Sequence, residues 1–537
     1  MLVNFIEEVK NKNETNKESP RGSKMLTMGE SFLKRFSYKF TGSIFINLIG
    51  MIILIMTTRA LGPKEFGQLE YVNRISNSLI TFFMFNSSGG FFAWVSRAPQ
   101  RSDHFQSLLK LIGYGAFLLF FFSVMFLISY KLDFHDLVLP GVKLELILLG
   151  MLFSFGNICL TSVTNLYDGI GRSSIVEKLK VLSAIIKLTL MGFIFYVGFF
   201  SINSWLLISC LTTFLTSIYL VNNLIKMDNT FKEESHSGEE DFNSFIVDYS
   251  RPFIIASILS FSYSFFETWY LQIVGGSTEQ ASFGIASKIV LIAVVFFSSF
   301  TPVIARDFGF YYGKKDLGNL LYSFEKVRFV YILACFVGVG LAFNAGRVVE
   351  LIGGKNFLYA KNVLLLMSIY PLHQCLGQVS GQFLLVTGKS KTYVKISNCT
   401  IVAHFILIYL FITPSTYTVP GLDLGSVGIA LMKTLSQIVY VNIQIYICCL
   451  TLGESFKKWL LFQVVPVMTL GVISFVISTI VTLFNFEVGL LSLIVFGIIY
   501  VVVTIVLVYY FPYLFNLKIE DKDVFLSLLN KKIKKRK

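Results

Sequence analysis

The sequence predicts an all-α polytopic membrane protein with about fourteen transmembrane helices and both ends in the cytoplasm. Hydrophobic residues make up 54% of the 537 positions and charged residues only 15%, whereas soluble proteins carry about 25% charged residues. Apolar runs such as 108–129 and 460–484 match the ~20 residues that cross a bilayer as a helix. A helix satisfies its backbone polar groups internally, so runs of this length in lipid favour helices.

The predicted spans form two sets of six, followed by a final pair. The first set is 40–58, 75–96, 108–129, 144–165, 182–200 and 203–224. The second set is 249–271, 283–304, 329–348, 363–386, 396–413 and 426–448, and the final pair is 460–484 and 488–511. Residues 86–90, Asn-Ser-Ser-Gly-Gly, lie inside the second span, where they allow either close helix packing or a break.

This order of spans predicts six segments of the chain. They are a cytoplasmic N-terminal tail (1–39), an N-lobe (40–225), a cytoplasmic linker (226–248), a C-lobe (249–448), two further helices (449–511) and a basic cytoplasmic tail (512–537). The tail at 1–39 is polar and basic, so we do not expect a cleavable signal peptide. The basic run at 531–537 is expected to lie against anionic lipid or to act as a plain topology signal.

The distribution of Lys and Arg predicts the orientation. With the N-terminus inside, the segments facing the cytoplasm hold 33 of the 46 basic residues and the outside loops hold 7, while the other six lie within the spans. This bias follows the positive-inside rule, so it predicts both ends in the cytoplasm. It also accounts for the net charge of +14 without a nucleic-acid partner.

Several features recur after 217 residues, which predicts an internal repeat. Phe66-Gly67 matches Phe283-Gly284, and Gly171-Arg-Ser matches Gly388-Lys-Ser. Six spans separate equivalent points, so the two halves would share one orientation. Parallel repeats of this kind occur in alternating-access transporters, with the substrate cavity between the halves.

The segment from Arg59 to Gly67, Arg-Ala-Leu-Gly-Pro-Lys-Glu-Phe-Gly, resembles a signature of the polysaccharide-biosynthesis membrane proteins. These are the O-antigen and lipid-linked oligosaccharide flippases of the multidrug/oligosaccharidyl-lipid/polysaccharide exporter superfamily. The turns at Gly171 and Gly388, and Gly425-Ser-Val-Gly-Ile-Ala430, are similar to that family as well. For the Arg59 segment itself we favour a structural interpretation, in which Pro63 and the glycines form a tight turn and Arg59 lies at the membrane interface.

The resemblance implies a fold of two six-helix lobes plus two helices. It also implies movement of an undecaprenyl-pyrophosphate-linked oligosaccharide across the cytoplasmic (inner) membrane, for O-antigen or capsule-type surface polysaccharide. A polysaccharide polymerase and a chain-length regulator are the partners expected from such a pathway. The alternatives are a multidrug/cation antiporter of the same superfamily and a polysaccharide polymerase or ligase. The first span, 40–58, lacks the carboxylate expected of the antiporter, and no long external loop suits the ligase.

An anionic pyrophosphate in a membrane needs fixed cations, and ionisable residues within membrane helices are the default candidates because burying them is costly. The predicted substrate-binding cations are Lys433, Lys187, Lys288, Arg74 and Arg251. Glu267 is predicted either to pair with a cation such as Lys288, to bind a coupling proton or Na⁺, or to lie exposed at the interface. His404 is a second coupling candidate because histidine titrates near neutral pH, and an interior structural histidine is the competing interpretation.

The sequence favours a transporter over an enzyme and predicts no cofactor. Gly388-Lys-Ser resembles the end of a nucleotide-binding loop, but position 383 is Phe where that motif requires glycine. All seven cysteines lie in apolar runs without metal-ligand spacing, so we interpret them as small hydrophobic residues.

Overall fold

The computed structural model describes residues 32–97, 103–134, 136, 139–228, 242–251, 254–298, 301–483 and 489–515. Most of the predicted N-terminal tail, linker and basic C-terminal tail lies outside these residues. The α-helices in chain order are α1 Phe32–Phe83, α2 Ser87–Arg97, α3 His104–Lys131, α4 Leu144–Gly169, α5 Ser173–Val197, α6 Ile202–Asp228, α7 Phe242–Ser250, α8 Ile254–Ser298, α9 Thr301–Gly313, α10 Leu317–Glu325, α11 Val327–Phe343, α12 Ala345–Gly353, α13 Lys361–Met367, α14 Tyr370–Val386, α15 Ser390–Ile412, α16 Gly425–Leu452, α17 Phe456–Leu483 and α18 Leu490–Tyr510. Within the described ranges no residue lies in a strand, so the all-α prediction is confirmed.

Eleven helices of the described chain are long and apolar enough to cross a membrane, which makes this a multi-pass membrane protein. Two of them, α1 and α8, are each interrupted by a glycine in a left-handed conformation, Gly62 (φ 66°) and Gly276 (φ 67°). Pro63 follows Gly62, and because proline lacks a backbone N–H it suits the start of the next helical segment. The tight turn predicted here is therefore present, with a predicted span on each side of it.

Further predicted spans are interrupted by breaks between helices, among them 75–96, 329–348 and 363–386. Phe85 and Asn86 have positive φ angles between α1 and α2, so the span predicted at 75–96 is broken at the polar segment that suggested a break. The span predicted at 363–386 consists of two short helices, α13 and α14, with Pro371 in the first turn of α14. The total of fourteen spans stays a prediction.

The turns at Gly171 and Gly388 have the same backbone geometry. Their φ angles are 79° and 76°. The N–H of Arg172 donates to the carbonyl of Tyr167 at 2.8 Å, and 217 residues later the N–H of Lys389 donates to a carbonyl at the same 2.8 Å. Both turns are therefore helix C-terminal caps that need a residue tolerant of left-handed φ.

The described residues form two compact units, 32–281 and 282–515. The lobe boundary predicted at the linker 226–248 stays a prediction. In the first unit, α7 packs on α2 through Trp94, whose ring centroid lies 5.6 Å from that of Phe242 and 5.1 Å from that of Phe245.

In the second unit, buried aromatic rings join α9, α10, α14 and α17. Phe324 lies at their centre, with its ring centroid 4.7 Å from that of Trp459 and 5.4 Å from that of Phe383. The guanidinium of Arg328 lies 5.2 Å from the Trp459 ring and 3.3 Å from the carboxylate of Glu325. This packing fixes the start of α17 against the helices that carry the site described below.

Candidate functional site

Lys433 lies in the third turn of α16, and its side chain is half-buried. Its ammonium nitrogen lies 5.2 Å from the ring centroid of Phe283, a buried residue of α8. A cation over an aromatic face gains roughly 0.5–2 kcal/mol, more where water is excluded. The ring face of Phe283 therefore stabilises the positive charge of Lys433.

Two amide side chains follow Lys433 along the same face of α16, at the helical spacings of four and eleven residues. Gln437 donates to Gln374 Oε1 at 2.8 Å, and Gln444 accepts from Ser380 at 2.7 Å. Both partners belong to α14. This polar stripe was not predicted, because only ionisable groups were considered as candidates, although the spacing of the glutamines is visible in the sequence.

A second polar pair joins α16 to α17. Gln463 donates to Asn442 Oδ1 at 2.9 Å, and Asn442 donates to Gln463 Oε1 at 3.3 Å. The hydroxyl of Tyr331 donates to the backbone carbonyl of Gln463 at 2.9 Å. These bonds satisfy amides that would be costly if left unpaired in an apolar interior.

Lys187 lies within the first unit, on α5, in a half-buried aromatic setting. Its ammonium lies 4.5 Å from the ring centroid of Trp205 and 5.7 Å from that of Phe153. These contacts give Lys187 a structural role in joining α5 to α6 and α4. Its predicted role in substrate binding stays a prediction.

The remaining predicted site residues are spread over several helices. Arg74 is half-buried in the second segment of α1, and Arg251 is exposed directly after α7. Lys288 is half-buried in α8, and His404 is half-buried in α15. Glu267 is buried in α8, with 4% of its surface exposed. This burial contradicts the interpretation of Glu267 as exposed at the interface. Pairing or coupling for Glu267, and coupling or a structural role for His404, stay predictions.

Charged residues meet at the turn between α4 and α5. The ammonium of Lys39 donates to Asp168 at 2.7 Å. Glu177 lies 3.8 Å from Lys180, one turn along α5. This group was not predicted from the sequence, because Lys39 and Asp168 are 129 residues apart in the chain.

Within the Arg59–Gly67 segment, Gly62, Phe66 and Gly67 have structural roles. Gly62 turns the chain, Phe66 is fully buried, and Gly67 packs directly on the backbone of Ser277. Beyond this contact, Ser78 and Ser264 hydroxyls lie 3.2 Å apart, and the Phe82 and Phe261 rings stack at 4.4 Å. The second segment of α1 therefore runs antiparallel to the first segment of α8.

No group of three or more potential metal ligands occurs in the parts of the chain that the structure covers. No protein-family sequence model matches the chain, and no curated protein matches it. The similarities are to solved structures.

The lipid II flippase MurJ, in an inward closed conformation, matches with a TM-score of 0.62 and 13% identity, over 89% of this chain and 99% of that chain. A multidrug resistance MATE family transporter of the MOP superfamily, inward-facing, matches with a TM-score of 0.54 and 14% identity, over 80% of this chain and 97% of that one. A MOP superfamily transporter from Pyrococcus furiosus matches with a TM-score of 0.51 and 12% identity, over 79% and 96% of the two chains.

The chain therefore has the fold of membrane flippases and exporters of the MOP superfamily. This is the multidrug/oligosaccharidyl-lipid/polysaccharide exporter superfamily that the Arg59–Gly67 resemblance indicated.

Proposed function

We propose that this protein is a flippase that moves an undecaprenyl-pyrophosphate-linked oligosaccharide across the cytoplasmic membrane by alternating access. The product would serve O-antigen or capsule-type polysaccharide synthesis. The proposal includes fourteen spans, two parallel six-helix lobes, an N-in/C-in orientation and no catalytic step. A polysaccharide polymerase and a chain-length regulator are its proposed downstream partners.

The position of Lys433 is the observation that carries the proposal. A cation in the third turn of an apolar helix, lying over the Phe283 ring, suits the phosphate of a lipid-linked substrate. Ionisable residues are rare within membrane helices and mark substrate pathways. Lys187, Lys288, Arg74 and Arg251 are the further proposed cations.

Fold similarity to a lipid II flippase supports a lipid-linked anionic substrate. Similarity to MATE transporters supports the second candidate function, a multidrug or cation antiporter. The predicted first span, 40–58, contains no carboxylate, and cations outnumber carboxylates within the predicted spans. This charge balance favours the anionic substrate.

Complementation tests the proposal. Strains lacking either an O-antigen flippase or a lipid II flippase would receive wild type, Lys433→Ala or Lys433→Arg, with membrane abundance measured by immunoblot. We expect wild type and Lys433→Arg to restore surface glycan in the O-antigen strain and Lys433→Ala to fail at equal abundance.

If wild type rescues only the strain that lacks the lipid II flippase, the substrate is lipid II and not an O-antigen precursor. If Lys433→Ala rescues as well as wild type, Lys433 does not take part in substrate binding. If wild type rescues neither strain, drug-efflux assays would test the antiporter.

A further inference from the structure

An open groove of about 530 Å³ lies beside the first turns of α15. It is lined by Ser390, Lys391, Val394, Lys395, Asn398 and Cys399. Lys391 and Lys395 are both exposed and lie four residues apart, so they project from one face of the helix. Among the described residues, no carboxylate lies within the 4.0 Å ion-pair distance of either ammonium. The groove therefore carries two positive charges that the described part of the protein leaves uncompensated.

The equivalent turn in the first half contains two carboxylates that form ion pairs with lysines. Asp168 binds the ammonium of Lys39, and Glu177 lies within ion-pair distance of a lysine one turn away. A shift of 217 residues replaces these two carboxylates by Leu385 and Val394. Of the two groove lysines, Lys395 matches Lys178 under this shift and Lys391 matches Ser174, so the groove has one more lysine than the equivalent positions of the first half and neither carboxylate.

An exposed apolar stripe continues from the lysines along the same face of α15. It consists of residues spaced by multiples of four, Val394, Val402, Ile406 and Leu410, each between 41% and 67% exposed. Only 11% of the apolar window of this helix is buried inside the protein. Positive charge at the helix end followed by an apolar face matches the order of groups in a phospholipid, whose charged phosphate sits above its acyl chains.

We propose that this groove binds an anionic membrane phospholipid. Lys391 and Lys395 hold the phosphate, the amide of Asn398 lies within the same groove for the glycerol region, and the acyl chains follow the stripe. A choline headgroup carries a cation that offsets its phosphate, so the groove prefers phosphatidylglycerol to phosphatidylcholine. This lipid site is separate from the transported substrate and does not depend on its identity.

Cys399 provides a direct readout of the groove. It lies in the groove lining and is exposed, whereas the other six cysteines are buried. A lipid bound in the groove will slow alkylation of Cys399 by a maleimide reagent. The rate can be measured on the full chain in neutral detergent, titrated with phosphatidylglycerol, phosphatidylcholine or soluble glycerol phosphate.

The test compares wild type with Lys391→Gln/Lys395→Gln. The matched control is Lys457→Gln/Lys458→Gln, which removes two exposed charges at the start of α17. Each lysine near anionic lipid contributes about fivefold in affinity, so the groove variant is expected to need about 25-fold more phosphatidylglycerol for half-maximal protection. The control variant is expected to match wild type.

Three results would overturn the proposal. Equal protection by phosphatidylcholine would mean that charge is not recognised. Protection by glycerol phosphate at the same concentration would assign the groove to a soluble phosphate compound. If the control variant also needs about 25-fold more phosphatidylglycerol, the effect would come from the net charge of the protein and not from the groove.

Discussion

Gly67 and Ser277 approach so closely that a Cβ atom at Gly67 would lie 1.7 Å from the backbone carbonyl oxygen of Ser277. A backbone oxygen cannot move aside as the end of a flexible side chain can. The second segment of α1 and the turn within α8 therefore depend on glycine at this position. The Phe-Gly pair of the Arg59–Gly67 segment acts through packing.

We expect Gly67→Ala to lower the free energy of unfolding by about 1–3 kcal/mol, the usual cost of an overpacked contact. Thermal unfolding of the purified protein in detergent measures this loss. Gly50→Ala is the matched control, because a Cβ at Gly50 meets no atom within 4 Å and alanine favours a helix over glycine. Equal melting temperatures for both variants would contradict the packing argument.

The ion pair between Lys39 and Asp168 is expected to contribute little to stability. The Lys39 side chain is 46% exposed, and exposed ion pairs contribute roughly 0.2–1 kcal/mol. A double-mutant cycle with Lys39→Gln and Asp168→Asn measures the coupling energy. We expect that energy to fall further at about 1 M salt, because salt screens exposed charges. A large coupling that salt leaves unchanged would indicate that water is excluded from the pair.

The amide pair of Asn442 and Gln463 is expected to show coupling when both residues are changed. Polar pairs between membrane helices average about 0.6 kcal/mol, with a maximum near about 1.7 kcal/mol. Asn442→Leu and Gln463→Leu should each destabilise the protein by removing the side-chain partner of the remaining amide. The double variant should lose less than the sum of the single losses, as measured by unfolding in a denaturing detergent. Additive losses would mean that the two amides act independently.

Asp316 caps α10 and gives a pH-dependent contribution to stability. It accepts hydrogen bonds from the backbone and side-chain nitrogens of Asn319, at 3.0 and 2.6 Å, which lower the pKa of its carboxyl group. A lowered pKa in the folded state means that the stabilisation is present above the ordinary carboxyl pKa and is lost as the pH falls through the folded-state value.

We therefore expect Asp316→Ala to lower the melting temperature at pH 7, with the difference from wild type shrinking as the solution becomes strongly acidic. Asp316→Asn is the control, because asparagine also caps helices but does not titrate. At pH 7 its melting temperature should lie between those of wild type and Asp316→Ala, because asparagine keeps the cap but lacks the charge. Loss of stability by the alanine variant that is the same at every pH would contradict the role of ionised Asp316.

The fold class and most helix positions follow from the amino-acid sequence alone. Long apolar runs are stable in lipid as helices, so composition and the length of these runs were sufficient to predict an all-α membrane protein. The sequence also indicated the turns at Gly62, Gly171 and Gly388. Glycine favours a left-handed backbone and proline favours a turn, so both residue types can be recognised locally. The polar stretch at Asn86 marked the break between α1 and α2 for the same reason.

The contacts between distant side chains, in contrast, emerge only when the helices pack. Phe283 supports Lys433 and Trp205 lies against Lys187, and no local pattern encodes either contact. Packing also joins the neutral amides of α14, α16 and α17, which a search for charged residues passes over. The physical reason is that local backbone preferences and apolar burial act along the chain, whereas cation–aromatic and amide contacts depend on how helices pack.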